Sequence, residues 1–287
     1  MVTQLSNSML ERFMQCPLSF YHEYINEDKP EKRNIVDFYS EFGNLIHFFA
    51  EQYPRTNFYR HLPIRPEMSL EGKGKLDIGL HTYAKELRER DHGLTIGEMR
   101  EMYAHFFKMI SFPNEDIAKR YYEEGLAFIN KLPDMDWSKV IALEQEFSID
   151  LKNGVPPIGG IIDKVERDSK GLIVTDYKTS KPYTKTAIDQ KMQLPIYGMA
   201  CYFLYGEIPY KYQYHFIRYD KIVSVTIPIE KLTEVKNRIK FEYSKMKYFE
   251  ANNEYPALYD KFYCNHFCGY AYLCHKFQEI EGVFQGV

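Results

Sequence analysis

The stretch GGIIDKVERDSKGLIVTDYKTS, residues 159–180, decides how this chain is read. Ile161, Ile162 and Val165 form one β-rich run, Asp168-Ser169-Lys170-Gly171 reads as a turn, and Leu172-Ile173-Val174 forms a second strand, so the pattern predicts a hairpin. Asp163 lies near the end of the first run, and Asp176 and Lys178 close the second. Strand alternation puts Asp176 and Lys178 on one face. Acidic and basic groups at the end of buried strands are costly unless they pair or bind a metal, which marks the edge of this hairpin as a site.

The rest of the chain reads as an ordinary globular protein. Its 287 residues are 45% hydrophobic with a net charge of −3, enough for one elaborated domain or a domain with an inserted helical part. Its apolar runs are too short to cross a bilayer, and MVTQLSNSM carries neither a basic nor an apolar leader region, so a cytoplasmic protein without a membrane partner is expected. The 25 Tyr and 20 Phe supply packing and rings able to stack on bases. Charge is uneven. From Lys178 to Lys261, 14 Lys/Arg stand against 9 Asp/Glu, a local +5, which leaves −8 for the remainder. Lys181, Lys185 and Lys191 begin this basic part and are candidate phosphate contacts; a solvated helix face is the plainer reading.

Punctuation and periodicity set the element order. Ser8 with Glu11 suggests a capping box opening a short helix, and Pro17 opens another turn. A helix over 37–53 carries Gly43, His47 and Glu51 on one face, followed by a connector over 54–72. Amphipathic patterns at 77–91, 96–111 and 114–132 predict three inserted helices. Strands are expected at 139–150, 158–167 and 171–177, a helix at 185–204, strands at 210–218 and 222–228, and a long helix at 229–252. These divide the chain into N-terminal helices with Cys16 and His47 (1–53), a helical insertion (54–135), a core (136–252) and a C-terminal cysteine segment (253–287).

Gly43-x-x-x-His47, GGIIDKV, DYKTS and Gln193-x-x-x-Tyr197, in this order and strand context, resemble the RecB-like branch of the PD-(D/E)XK nuclease superfamily. The resemblance implies an α/β restriction-endonuclease-like core, with a mixed central sheet flanked by helices, acting as a metal-dependent deoxyribonuclease. It implies that His47, Asp163 and Asp176 bind a divalent ion, that Lys178 serves catalysis with Asp163 and Asp176, and that Gln193 and Tyr197 position substrate. The chemistry agrees. Mg²⁺ or Mn²⁺ takes oxygen ligands, which Asp163, Asp176 and the Tyr177 backbone carbonyl can offer, and one imidazole tilts the preference toward Mn²⁺. A core histidine, an edge-strand salt bridge at Lys178 and a surface pair at Gln193 and Tyr197 are the bland alternatives.

Cys16 and the run Cys264-x3-Cys268-x5-Cys274 make a complete thiolate set, leaving Cys201 as a core residue. In a cytosolic enzyme such cysteines point to a metal rather than to disulfides, and four thiolates suit Zn²⁺ as well as a [4Fe–4S] cluster. One N-terminal cysteine with three at the C-terminus resembles the iron–sulfur exonucleases of the same branch, including the AddB nuclease domain and the CRISPR-associated RecB-like exonucleases. Those usually space the first two C-terminal cysteines by two residues. Here Asn265, His266 and Phe267 intervene, so His266 or His275 stands as an alternative ligand. A cluster would staple the first helix to the tail. The expected activity is exonucleolytic hydrolysis of single-stranded or frayed DNA in recombination, repair, replication or CRISPR-type processing, with protein partners of such a complex. A structure-specific or RNA-directed endonuclease and a non-catalytic DNA-binding scaffold are the competing expectations.

Overall fold

The computed structural model describes residues 2–28, 30–33, 38–64 and 73–282. The first residue of the expected 37–53 helix and residues 65–72 of the expected connector lie outside them, as do residues 283–287 of the C-terminal segment. The chain divides into two compact units, Met1–Ile35 with Ser148–Gly160 and Pro228–Val287, and Val36–Phe147 with Ile161–Ile227. A mixed sheet of six strands flanked by helices runs in the order β1-β3-β4-β5-β6, with β2 paired to β3.

In the first unit, β1 (Leu5–Ser6) pairs in parallel with the opening residues of β3 (Ile158–Asp168), Leu5 opposite Ile158. That pairing holds the chain extended to Ser6, which becomes the N-cap of α1 (Asn7–Gln15) and accepts from the Met9 amide. The expected Ser8/Glu11 capping box is therefore replaced by Ser6, because a two-residue strand too short to read in the sequence sets where the helix starts. Pro17 opens α2 (Pro17–Phe20), as its missing amide allows. The long helix α9 (Ile229–Asn252) packs on α1, with the Phe13 and Phe249 rings 5.9 Å apart.

In the second unit, α3 (Phe38–Asn57) buries Phe42, Leu45, Ile46 and Phe49. It continues through Pro54, past the expected stop; after the proline, Arg55 bonds to Glu51 and the Leu143 carbonyl, and the Thr56 hydroxyl donates to the Gln52 carbonyl. Three helices follow: α4 (Lys75–Glu89), α5 (Ile96–Phe107) and α6 (Glu115–Lys131). The spacing of Leu76, Leu80, Ala84 and Leu87 makes α4 amphipathic; Thr95 with Glu98 caps α5 through a reciprocal pair, and Asn114 caps α6. The strands are β2 (Val140–Ile149), the body of β3, β4 (Gly171–Lys178), β5 (Lys211–Phe216) and β6 (Lys221–Val225). β3 and β4 form the expected hairpin, antiparallel with Asp168 opposite Gly171, and Gly171 at φ 128° takes a backbone angle that a side chain would strain. β4 runs parallel to β5, which pairs antiparallel with β6.

The helix expected over 185–204 is two helices, α7 (Lys185–Gln190) and α8 (Gln193–Tyr205). Pro195 is the reason. Inside one continuous helix it would lose a backbone bond and clash with the preceding turn, whereas a restart at Gln193 places it in a first turn where no amide is needed.

Gly125 of α6 is a close-packing point, since a Cβ there would meet the Tyr103 hydroxyl at 2.2 Å and the Phe42 ring at 3.1 Å. That hydroxyl donates to the Tyr121 and Tyr122 carbonyls. Gly125→Ala is expected to destabilise the protein by roughly 1–3 kcal/mol through overpacking, read as a lowered melting midpoint, despite alanine's better helix propensity.

Candidate active site

The hairpin's open end carries the site. The last paired rung before it joins Lys164 to Thr175, and beyond it the Tyr177 amide donates to Asp163 Oδ2 at 2.7 Å, so a side chain takes over where the ladder stops. Asp163 and Asp176 are both buried, 8% and 1% exposed. Asp176 is held from three directions. Gln193 Nε2 donates to its Oδ1 at 2.7 Å, the Tyr197 hydroxyl donates to the same oxygen at 3.2 Å, and Lys178 Nζ lies 2.6 Å from Oδ2. Gln193 and Tyr197 also touch each other at 3.0 Å, one turn apart on α8. The pair expected to contact substrate thus faces the carboxylate.

His47, from the middle of α3, completes the group from the other side. Its Nε2 lies 3.2 Å from the Tyr177 carbonyl, an acceptor, so Nε2 carries a hydrogen; the protonated ring turns its Nδ1–H toward the carboxylates, and losing that proton would free the Nδ1 lone pair for a cation. Nδ1 stands 3.6 Å from Asp163 Oδ1 and 3.9 Å from Glu144 Oε1. The Tyr177 carbonyl, expected as an ion ligand, is engaged with His47 and retains a second lone pair.

Glu144 of β2 was not expected from the sequence. Its backbone adopts φ 50°, a left-handed angle in the middle of a strand, and its carboxylate turns toward His47 and Asp163. The neighbouring Leu143 carbonyl accepts from Arg55 Nη2 at 3.1 Å; Arg55 is buried, pairs with Glu51 at 2.9 Å and also donates to the Leu62 and Pro63 carbonyls. The kink is therefore pinned from α3. An acid inside the apolar run VIALEQEF was the available signal, but the bend that aims it is invisible in sequence.

Electrostatics fit a cation. His47, Glu144 and Asp163 each offer one ligand atom, all within 4.8 Å of one another. Burial works against charge on His47, yet Asp163, Glu144 and Asp176 overcome it and hold the imidazole's pKa up to about 9. Burial likewise pushes the Asp163 carboxyl upward, reinforced by the charges of Asp176 and Glu144 and opposed by His47. Lys178 is also penalised by burial, but Asp176 keeps its ammonium above the ordinary lysine value. A site that retains protons to relieve crowded negative charge is one that a divalent ion would relieve better, and one imidazole with two carboxylates suits Mg²⁺ or Mn²⁺.

Of the basic candidates, Lys181 and Lys185 are exposed, and Lys191 lies 4.6 Å over the Tyr183 ring. None of the three is among the described residues lining the cleft at the carboxylates, whereas Tyr183 is. In the other unit the cysteines converge: Cys16 closes α1, Cys264 lies on α10 (Lys261–His266) and Cys274 precedes α11 (His275–Glu281). Burial raises the Cys264 thiol against an opposing hydrogen bond to the Asp260 backbone, and Cys268, Cys16 and Cys274 add to the rise. Cys268 Sγ lies 3.9 Å from Ser19 Oγ. Cys201 is apart on α8, fully buried, with its thiol pushed up to about 12 chiefly by burial. The Nδ1 of His266 is engaged with the Phe262 carbonyl, and His275 is exposed.

A sheet of this order, with an Asp-x-Lys closing β4 and an acid opposite it on β3, defines a nuclease core. The sequence profile of the PD-(D/E)XK nuclease superfamily matches residues 4–275, and the chain belongs to that superfamily. A search of curated proteins finds no match to it.

Mn²⁺ or Ca²⁺ is expected to raise the melting midpoint of the purified protein, since an ion held only by the folded state at a hundredfold excess over its Kd stabilises by about 2.7 kcal/mol. Glu144→Gln and Asp163→Asn should each shrink that shift. An unaltered shift in Glu144→Gln would remove Glu144 from the ion's surroundings.

Proposed function

We propose that this nuclease is a metal-dependent DNA exonuclease of the RecB-like branch, acting on single-stranded or frayed ends in recombination, repair, replication or CRISPR-type processing. The observation that carries the reading is the His47, Glu144 and Asp163 donor group standing beside the Asp176–Lys178 ion pair. His47, Glu144, Asp163 and Asp176 would hold Mg²⁺ or Mn²⁺, which supplies Lewis acidity at a phosphate oxygen and lowers the pKa of a bound water.

The chain's own residues do the remaining work. Gln193 and Tyr197 fix Asp176 in place, and Tyr197, whose hydroxyl pKa burial raises far above the ordinary value, stays a donor. Lys178, charged and tethered by Asp176, stands ready to orient the attacking water or steady a phosphate oxygen. The Tyr177 carbonyl sets the tautomer of His47. Lys181, Lys185 and Lys191 fit a role in tracking backbone phosphates outside the cleft.

The four cysteines support a second, structural centre, with [4Fe–4S] as the proposal and Zn²⁺ as its alternative. Cys16 and Cys264, Cys268 and Cys274 come from opposite ends of the chain, so the cluster would act on folding more than on chemistry. A thiolate-held metal centre of this kind would accord with a cytoplasmic enzyme.

Labelled linear single strands, duplexes and covalently closed circles, each with Mg²⁺ or Mn²⁺, test the activity. Linear single strands should be degraded from their ends while circles survive, and Asp176→Ala and Lys178→Ala should each lower the rate by orders of magnitude with the fold retained. Cut circles would establish an endonuclease, cleavage of RNA alone would move the substrate to RNA, and no cleavage by wild type would leave a binding scaffold. Protein prepared without oxygen should be brown with bound iron and sulfide. Cys268→Ser should lose the colour together with thermal stability, and Cys201→Ser should keep both. A colourless, zinc-loaded protein would replace the cluster with a structural zinc.

A further inference from the structure

The cleft at the candidate active site extends well beyond the carboxylates. It encloses about 590 Å³ between α3 and α4, with His47, Glu144, Tyr177 and Lys178 at one part of its lining. Its opposite wall is one face of α4. Asp77, His81, Ala84 and Arg88 recur there at helical spacing, with Lys73 just ahead of the helix. The acids along the cleft are engaged: Glu51 pairs with Arg55, Asp77 accepts from Asn44 Nδ2 at 2.9 Å across the α3–α4 seam, and Glu144 belongs to the donor group. Lys73 and Arg88 are exposed cations. Tyr39, 51% exposed, lies against Phe38 with ring centroids 4.0 Å apart, which offers a supported aromatic face at the cleft.

We propose that this cleft is the channel for an unpaired polynucleotide strand, in which Lys73 and Arg88 take backbone phosphates next to the scissile one and Tyr39 stacks a base. The proposal rests on the nuclease reading for what happens to the strand, not for its binding. The Asn44–Asp77 bond ties the α3 and α4 walls together at one point. A single strand carries the two features that the walls answer, a repeating negative charge and bases with open π-faces. The helical insertion then selects the substrate, while the hairpin carries the chemistry. In the sequence this wall is Asp77, His81 and Arg88 of KLDIGLHTYAKELR, with the apolar Leu80 and Ala84 beside them.

Binding of a fluorescein-labelled thymidine oligonucleotide in Ca²⁺, followed by anisotropy over a salt series, tests the channel without requiring cleavage. The double variant Lys73→Glu/Arg88→Glu should bind about tenfold or more weakly, and its salt slope should fall by about 1.4, two contacts at about 0.7 each. Unlabelled single strand should displace the probe at concentrations where a blunt duplex of equal length does not. Tyr39→Ala should weaken binding of the thymidine strand more than that of an abasic strand of the same length, which keeps the proposal testable should the double variant fail to fold. Equal affinity and slope in the double variant, equal competition by duplex, or equal loss on both strands in Tyr39→Ala would overturn it. Cleavage by the wild type with Mn²⁺ is scored separately, so an inactive protein that passes these binding tests retires the nuclease reading and keeps the channel.

Discussion

Crowding of negative charge at the open end of the β3–β4 hairpin is the constraint on which the rest of the structure depends. Asp163, Asp176 and Glu144 are gathered where water is scarce, and burial of ionised carboxylates is tolerated only with partners. The chain supplies them one by one: an amide and an imidazole for Asp163, an ammonium, an amide side chain and a phenol for Asp176. What these leave unneutralised shows in the raised proton affinity of His47 and Asp163. The same imbalance that makes the site hold protons is one that a divalent cation would relieve.

The elements around the hairpin are arranged to keep that geometry rigid. Pro195 forces α8 to start at Gln193, which puts the Gln193 and Tyr197 side chains on the first two turns, aimed at Asp176. Arg55 holds the β2 backbone at the bend that turns Glu144 inward. On the far side, Arg218 donates to the Thr179 carbonyl, beside Lys178, while pairing with Glu124 of α6. An inserted helix is thereby bonded to the backbone next to the candidate catalytic lysine. Each of these supports is a side-chain donor meeting a backbone carbonyl or a carboxylate away from bulk water, an arrangement that loses much if one partner is removed.

Much was legible because it is local. The hairpin, its turn at Ser169-Lys170 and the i, i+2 placement of Asp176 and Lys178 follow from period-two alternation and turn chemistry, and the three inserted helices follow from apolar spacing with Thr95 and Asn114 as caps. The superfamily was legible from motif order. The start of α1 was misplaced by two residues because a two-residue strand, formed only through pairing with residues more than 150 positions away, decides it. The break before α8 had a visible cause in Pro195, yet helical periodicity on either side masked it.

The sequence by itself determined the residue types and spacings of the site: an Asp-x-Lys, an acid on the preceding strand, a histidine on a helix, a Gln and Tyr one turn apart, and four cysteines split between the two ends. These are properties of neighbours along the chain, where propensity and period act directly. Only the tertiary structure decided that Glu144 joins His47 and Asp163, that Gln193 and Tyr197 grip Asp176, and that one face of α4 walls the cleft. Those outcomes depend on a left-handed bend at one strand residue and on the approach of helices far apart in sequence. Neither leaves a periodic trace, because long-range packing selects them among conformations that the local chain alone would not prefer.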